Sequence, residues 1–382
     1  MLFPIYLIAF LSFASMAVLY PVVPPYASSL GASVAQVGVV VAVQSYVGAV
    51  LQAPGGILSD RVGRRTMVIG GISANVVAYV LYLFASSVGA LMAVRTINGI
   101  TNSAFYPAAA ALVVDLAPQE KRGEALGIFA TGTQTGNMVG PAVGGFVLEH
   151  LGFQAAFLCS AAISLLALLV ALFGLRSLRS TGRPVGGHSM TFGWLRGRKV
   201  IGGLLGTMFV LVGIGGIISF LPLYGFEINI DIARVGLIIS TVYLGSVLTR
   251  VVAGRTSDRV GRAPVILSGL FLCATGVFLM SIFTGPVPLH LAALIYGFGM
   301  GSALPACTAL VADVAPLRMR GFAMGMNSGS FSAGQALGAT FLGIVAASEG
   351  FARMYLLTAA VITLAMALVL VLTRKSRVES RV

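Results

Sequence analysis

Gly56-Ile57-Leu58-Ser59-Asp60-Arg61-Val62-Gly63-Arg64-Arg65 reads as a tight basic turn after an apolar run, and the chain carries it twice. At an offset of 198 residues, Gly56, Asp60, Arg61, Gly63 and Arg64 return as Gly254, Asp258, Arg259, Gly261 and Arg262. Outward from this stretch the same offset relates Asp115, Pro118, Arg122 and Gly123 to Asp313, Pro316, Arg320 and Gly321. It also relates Gly127, Gly136 and Gly140 to Gly325, Gly334 and Gly338. The chain is therefore a tandem of two homologous halves. The halves read as 1–176 and 199–382, joined by the polar stretch 177–198.

The environment of these halves follows from composition. Of 382 residues, 58% are hydrophobic and 9% charged, where soluble domains carry about 25% charged residues. Mean hydropathy is +0.98. Apolar runs of roughly 20 residues cross a bilayer core of about 30 Å. Twelve are expected, at about 3–25, 34–57, 66–87, 90–114, 123–147, 153–175, 200–225, 233–255, 264–284, 289–312, 321–346 and 352–373. Backbone groups in lipid must bond internally, so the expected fold is an all-α membrane protein of twelve helices in two pseudo-symmetric six-helix halves. Two homologous halves in an apolar chain point to a secondary transporter with its substrate site between them. The first run lacks a basic leader region and leads directly into a second, so it is expected to be a span and not a cleaved signal.

The net charge of +13 does not imply nucleic acid. Basic residues cluster in alternate loops: Arg61 to Arg65, Lys121 and Arg122, Arg176 to Lys199, Arg255 to Arg262, Arg318 and Arg320, and Arg374 to Arg381. The other loops hold Glu149, Glu227, Asp231 and Glu349, with Arg234 and Arg353. By the positive-inside rule both termini are expected in the cytoplasm, with the chain in the cell membrane and its basic loops on anionic lipid. Cys159, Cys273 and Cys307 have no disulfide or metal spacing, and lie in apolar runs. None of Lys121, Lys199 and Lys375 follows a glycine, so no P-loop is formed. His150, His188 and His290 form no metalloenzyme pattern. No enzyme activity, metal or cofactor is expected, and the partners are a small-molecule substrate and the lipid bilayer, with the protein a monomer.

In these residues the chain resembles the major facilitator superfamily. Gly56 to Arg65 is similar to that superfamily's signature between spans two and three, and the copy at Gly254 to Arg262 departs after Arg262, where Ala263 and Pro264 follow. Gly127, Gly136, Gly140-Pro141 and Gly144-Gly145 match the antiporter motif G-x8-G-x3-G-P-x2-G-G, which resembles the twelve-span drug–proton antiporter family. Gly132, Gly136, Gly140 and Gly144 fall four apart and make one smooth helix face for a neighbouring backbone. Tyr20-Pro21-Val22-Val23-Pro24-Pro25-Tyr26 at the end of span one also looks like the family. Arg95-Thr96-Ile97-Asn98-Gly99 resembles the motif R-x-x-Q-G, whose arginine the family assigns to proton transfer. The alternative is a structural arginine bonded to helix carbonyls.

The resemblance implies efflux of small amphipathic compounds by alternating access, with protons as coupling partners. The rival reading is a sugar or organic-anion transporter using Arg95 as counter-charge. Gating residues would be Gly56, Asp60, Arg61, Gly63, Arg64, Gly127, Gly136, Gly140, Pro141 and Gly144. Candidate substrate contacts are polar or soft side chains far from span ends: Ser15, Gln44, Asn98, Asn102, Gln134, Asn137, Tyr243, Met300 and Asn327. All eleven acids fall in loops or at span ends, and the first span carries Ser12 and Ser15 where many such antiporters hold a carboxylate.

Overall fold

The computed structural model describes residues 2–176, 193–316 and 319–373. Twelve α-helices run through them: α1 Phe3–Val18, α2 Val23–Ser29, α3 Val34–Val62, α4 Arg64–Leu81, α5 Val88–Leu116, α6 Arg122–Gly174, α7 Arg198–Glu227, α8 Ile232–Val260, α9 Arg262–Ile282, α10 Pro286–Val314, α11 Arg320–Glu349 and α12 Phe351–Thr373. Together α1 and α2 make the first span, interrupted over 19–22 around Pro21, which cannot donate to the helix ladder. The 53 residues of α6 are two spans meeting at Gly152, where φ is 80°. A side chain at that φ would clash with its own backbone, so glycine makes the reversal. The remaining helices supply one span each, which gives twelve.

The internal repeat is written into the backbone. Residues with positive φ come in pairs 198 apart: Gly31 with Asn229, Gly63 with Gly261, and Gly152 with Gly350. Asparagine is one of the few other residues that tolerate this region. The helical reversals of one half are thus repeated in the other.

The two copies of the quoted stretch are mostly helical, which corrects the reading of a loop. α3 continues to Val62 and α8 to Val260; only Gly63 and Gly261, at φ 102° and 96°, turn the chain. Each motif is the last two turns of one helix, a turn glycine, and the start of the next helix.

Within the first half α1 lies along α6, α3 along α5, and α4 against α5 and α6; within the second, α7 lies along α11, α8 along α10, and α9 against α10 and α12. The halves meet where α3 crosses α11 and α6 crosses α8. Large apolar side chains such as Phe3, Phe84, Phe173 and Leu364 stand exposed on the outside. In water this would be a severe liability, but against lipid chains it costs nothing.

Candidate functional site

The interface between the halves is built from glycine. A Cβ on Gly145 would meet the Ile232 carbonyl oxygen at 2.6 Å, and one on Gly236 would collide with the Pro141 carbonyl. The offset of 198 converts Gly236 and Pro141 into Gly38 and Ala339, and a Cβ on Gly38 would collide with the Ala339 carbonyl. Two symmetry-related crossings therefore bring backbone onto backbone. Both lie toward the end of the bundle away from the Asp60 and Asp258 motifs, here termed the far end, as against the motif end. At the far end Glu149 accepts a hydrogen bond from the Ile232 amide at 3.1 Å, placing a carboxylate at the N-terminus of α8.

Further in, side chains join the halves. The Ser45 hydroxyl donates to Gln335 Oε1 at 3.3 Å, Tyr46 to Thr340 Oγ1 at 3.1 Å, Gln52 Nε2 to Ser332 Oγ at 3.1 Å, and Gln134 Nε2 to Ser246 Oγ at 3.3 Å. Tyr20 stacks on Tyr243 with centroids 6.3 Å apart, and its hydroxyl donates to Asn137 Oδ1 at 3.1 Å. Among the described residues no hydrogen bond or ion pair crosses between halves on the motif side of Gln52 and Gln134. A Cβ on Gly56, Gly127, Gly254, Gly325 or Gly329 would meet nothing from the opposite half within 4 Å. The interface is closed at the far end and unzipped at the motif end.

The motif end itself is held inside each half. Arg64 bonds the Ala111 carbonyl at 2.9 Å, and pairs with Asp60 at 3.4 Å and with Asp115. Arg262 repeats this with Asp313 at 2.9 Å, Ser257 at 3.1 Å and Asp258. Both motif copies therefore lock a helix hairpin to the end of the helix two further on, α5 or α10, although the second copy lacks the second arginine. Arg61 is exposed and stands outside these clusters.

The glycine face of α6 carries α1. A Cβ on Gly136 would stand 2.5 Å from the Phe10 carbonyl oxygen, one on Gly140 2.6 Å from that of Ala14, and one on Gly144 would overlap that of Val18. Gly127 is not part of this contact, since nothing approaches it within 4 Å. In the second half Gly334 and Gly338 receive the backbone of α7 in the same way.

The candidate substrate contacts fall into separate groups. Gln134, Asn137 and Tyr243 sit together at the junction of the halves. Gln44 and Asn102 converge on the Met16 sulfur, each with Nδ2 or Nε2 at 3.4 Å. Asn98 is buried in a network with Tyr82 at 2.7 Å and Asn75 at 3.2 Å, which binds α4 to α5. Ser15 is buried and donates to the Ser12 carbonyl at 2.8 Å. Met300 is 2% exposed. Asn327 bonds Thr207 at 2.9 Å and Thr308 at 3.0 Å, joining α7, α10 and α11. Gln134 and Tyr243 of the junction group touch the opposite half, while Asn102 also accepts from Asn75 Nδ2 of α4 at 3.1 Å and Ser15, Asn98, Met300 and Asn327 are occupied within their own half.

Arg95 is buried, and it donates to the Val41 carbonyl at 2.8 Å and the Val40 carbonyl at 3.3 Å. Both acceptors are backbone groups of α3. Next to it, Gly99 lets α5 approach α3, where a Cβ would meet Val47 at 2.6 Å. Arg95 thereby ties α5 to α3. Sequence reasoning passes over another arginine, Arg250, which lies inside α8 and falls within a predicted span. It is hidden among the basic residues that follow it; the signal that exposes it is the offset of 198, which makes it the counterpart of Gln52.

Two six-helix halves meeting around a polar junction and a one-sided cleft define an integral membrane transporter. The family model of the Major Facilitator Superfamily matches residues 5–228 and 203–382, and the chain belongs to that superfamily. It is 26% identical to an uncharacterized MFS-type transporter of Methanocaldococcus jannaschii, over 92% of this chain and 93% of that one. It is also 26% identical to the multidrug resistance protein MdtG of Klebsiella pneumoniae, over 92% and 88% of the two chains. Among solved structures, a bacterial homolog of the human lysosomal transporter Spinster, inward-facing and occupied, superposes with a TM-score of 0.83 at 17% identity, covering 98% of this chain and 96% of that one. The unoccupied inward-facing form gives 0.79.

Proposed function

We propose that this protein exports small amphipathic compounds by alternating access, in the manner of a multidrug transporter. The observation that carries the reading is the asymmetry of the interface: glycine crossings and hydrogen bonds seal the far end, while among the described residues no hydrogen bond or ion pair joins the halves at the motif end. That is one of the two states an alternating-access cycle needs. The aromatic pair at the junction, Tyr20 and Tyr243, and the Met16 thioether between Gln44 and Asn102 suit apolar bodies of varied shape. The likeness to a multidrug resistance protein supports the same substrate class. Proton coupling belongs to this reading, with its carrier outside the acid-free middle of the membrane. A monomer with both termini in the cytoplasm, in the cell membrane, completes it; the cleft then opens inward.

The test is flux. Purified protein in proteoliposomes should move a panel of amphipathic dyes, faster with an imposed pH gradient; no flux of any dye under either condition would refute export, and indifference to the gradient would refute proton coupling. Orientation is checked apart from activity. With native cysteines removed, cysteines at Gly123 and Glu349 should label from opposite faces of the cell, Gly123 from inside; labelling from one face would refute the arrangement.

A further inference from the structure

We propose that Arg250 is the fixed counter-charge of the cleft, and that the cleft selects amphipathic anions, a carboxylate on an apolar body, over cations. The inference rests on the transport reading above and names its substrate class.

Placement comes first. Arg250 follows Ser246 by four residues on α8 and so shares its face. Ser246 faces the other half, where Gln134 bonds it at 3.3 Å. Symmetry gives the same answer. Gln52 and Ser332 bond across the halves at 3.1 Å, and the offset of 198 turns that pair into Arg250 and Gln134. The arginine thus lies at the edge of the sealed region, where the cleft begins. It is ten residues short of Val260, about 15 Å from the motif end of α8 at 1.5 Å per residue. Tyr106 of α5 stands within electrostatic reach of it from the opposite half.

Its bonding comes second. Among the described residues, Arg250 makes no ion pair and no hydrogen bond, although it is half-buried. Arg95 is bonded to α3 carbonyls, and Arg64 and Arg262 to carboxylates; Arg65, whose Nε is also buried without a partner, sits at the motif end in the first turn of α4 and not along the span. A charge left without partner at membrane depth is a functional position by default. Arg95 cannot serve instead, since its Nε and one terminal nitrogen are spent on α3.

The surroundings select the rest of the ligand. Tyr106 meets Phe13 edge-on at 5.8 Å and Phe129 at 5.9 Å, and Met16 lies among Gln44 and Asn102. A guanidinium fork with an aromatic ring in reach matches a carboxylate that carries an apolar body, and it repels a cation.

The experiment uses the full chain in nanodiscs of zwitterionic lipid, with empty nanodiscs subtracted. The probes are 1-pyrenebutyrate, its methyl ester and a pyrenyl-alkyl trimethylammonium of matching length, followed by fluorescence anisotropy. The wild type should prefer the carboxylate to the ammonium by about tenfold or more. In Arg250→Gln that ratio should fall to near one, and Arg250→Lys should keep part of it. Gln134→Glu retains the arginine but plants a carboxylate opposite it, and should collapse the ratio as well; it decides the matter should Arg250→Gln not fold. Equal binding of all three probes, no binding of any, a preference for the ammonium, or a ratio unchanged in both variants would overturn the proposal. Flux in proteoliposomes is read separately. Charge-selective binding without flux would refute transport and leave the charge assignment standing; flux without charge selectivity would do the reverse.

Discussion

Arg95 shows how one residue type at one depth supports two readings. The R-x-x-Q-G resemblance implies proton transfer; from the bonds to Val40 and Val41 we propose instead that the side chain is a strut between α5 and α3. A strut acts on every substrate alike. Arg95→Ala should lower the thermal stability of the purified protein and reduce flux of all substrates by a similar factor, because two carbonyls and the helix contact at Gly99 lose their partner. Arg95→Lys, which keeps a donor without the planar fork, should recover part of both. Thermal unfolding in detergent beside a flux panel checks this; unchanged stability with loss of only charged substrates would return Arg95 to the cleft. The identity of this residue was legible in the sequence, but its partners were not. A backbone carbonyl carries no sequence signature, so only the packing of α3 against α5 could reveal the acceptors. Arg250 was concealed for the opposite reason: its context in the sequence is basic, and only its face on a long helix separates it from the residues at the helix end.

At the scale of elements the glycines decide which helices touch. The spacing of Gly132, Gly136, Gly140 and Gly144 announces a close helix contact, and α1 is the helix that fills it. Leucine at Gly140 or Gly144 would drive into the backbone of α1, at a cost of about 1–3 kcal/mol or more. These variants should insert but lose most transport. Gly127→Leu is the internal control, because nothing stands within 4 Å of that position; it should retain flux despite belonging to the same motif. Equal damage from all three would show that the motif acts through something other than contact with α1. The length of the elements was less legible. Hydropathy falls where arginines and aspartate appear, so the sequence reading ends span two near 57 and makes the quoted stretch a loop. The helix nevertheless runs on to Val62 because Arg64 neutralises Asp60 and Asp115, and the turn needs only one residue with positive φ. Likewise Gly152 alone reverses α6 between spans five and six.

At the scale of the whole molecule, the repeat predicts more than the count of spans. Because Gly38 faces Ala339 as Gly236 faces Pro141, the far end is closed by two equivalent contacts, and weakening either should open it. The motif clusters do not oppose this opening, since Asp60, Arg64 and Asp115 bond within one half, and Asp258, Arg262 and Asp313 within the other. Asp60→Asn should therefore change the closed far end little, because a partly exposed pair contributes only about 0–1 kcal/mol. Gly236→Leu places a side chain where the Pro141 carbonyl lies. At about 1–3 kcal/mol of overpacking, felt only while the far end is closed, it should shift the population toward the state open at that end by roughly 5- to 150-fold. Gly38→Leu should do the same by symmetry. Spin labels across the two ends, read as distance distributions, give the populations directly: in Gly236→Leu the far-end distance should lengthen and the motif-end distance shorten together. Lengthening at the far end without shortening at the motif end would mean that the halves do not rock as rigid bodies. Unchanged distributions would mean that the glycine crossings are not what holds the far end shut.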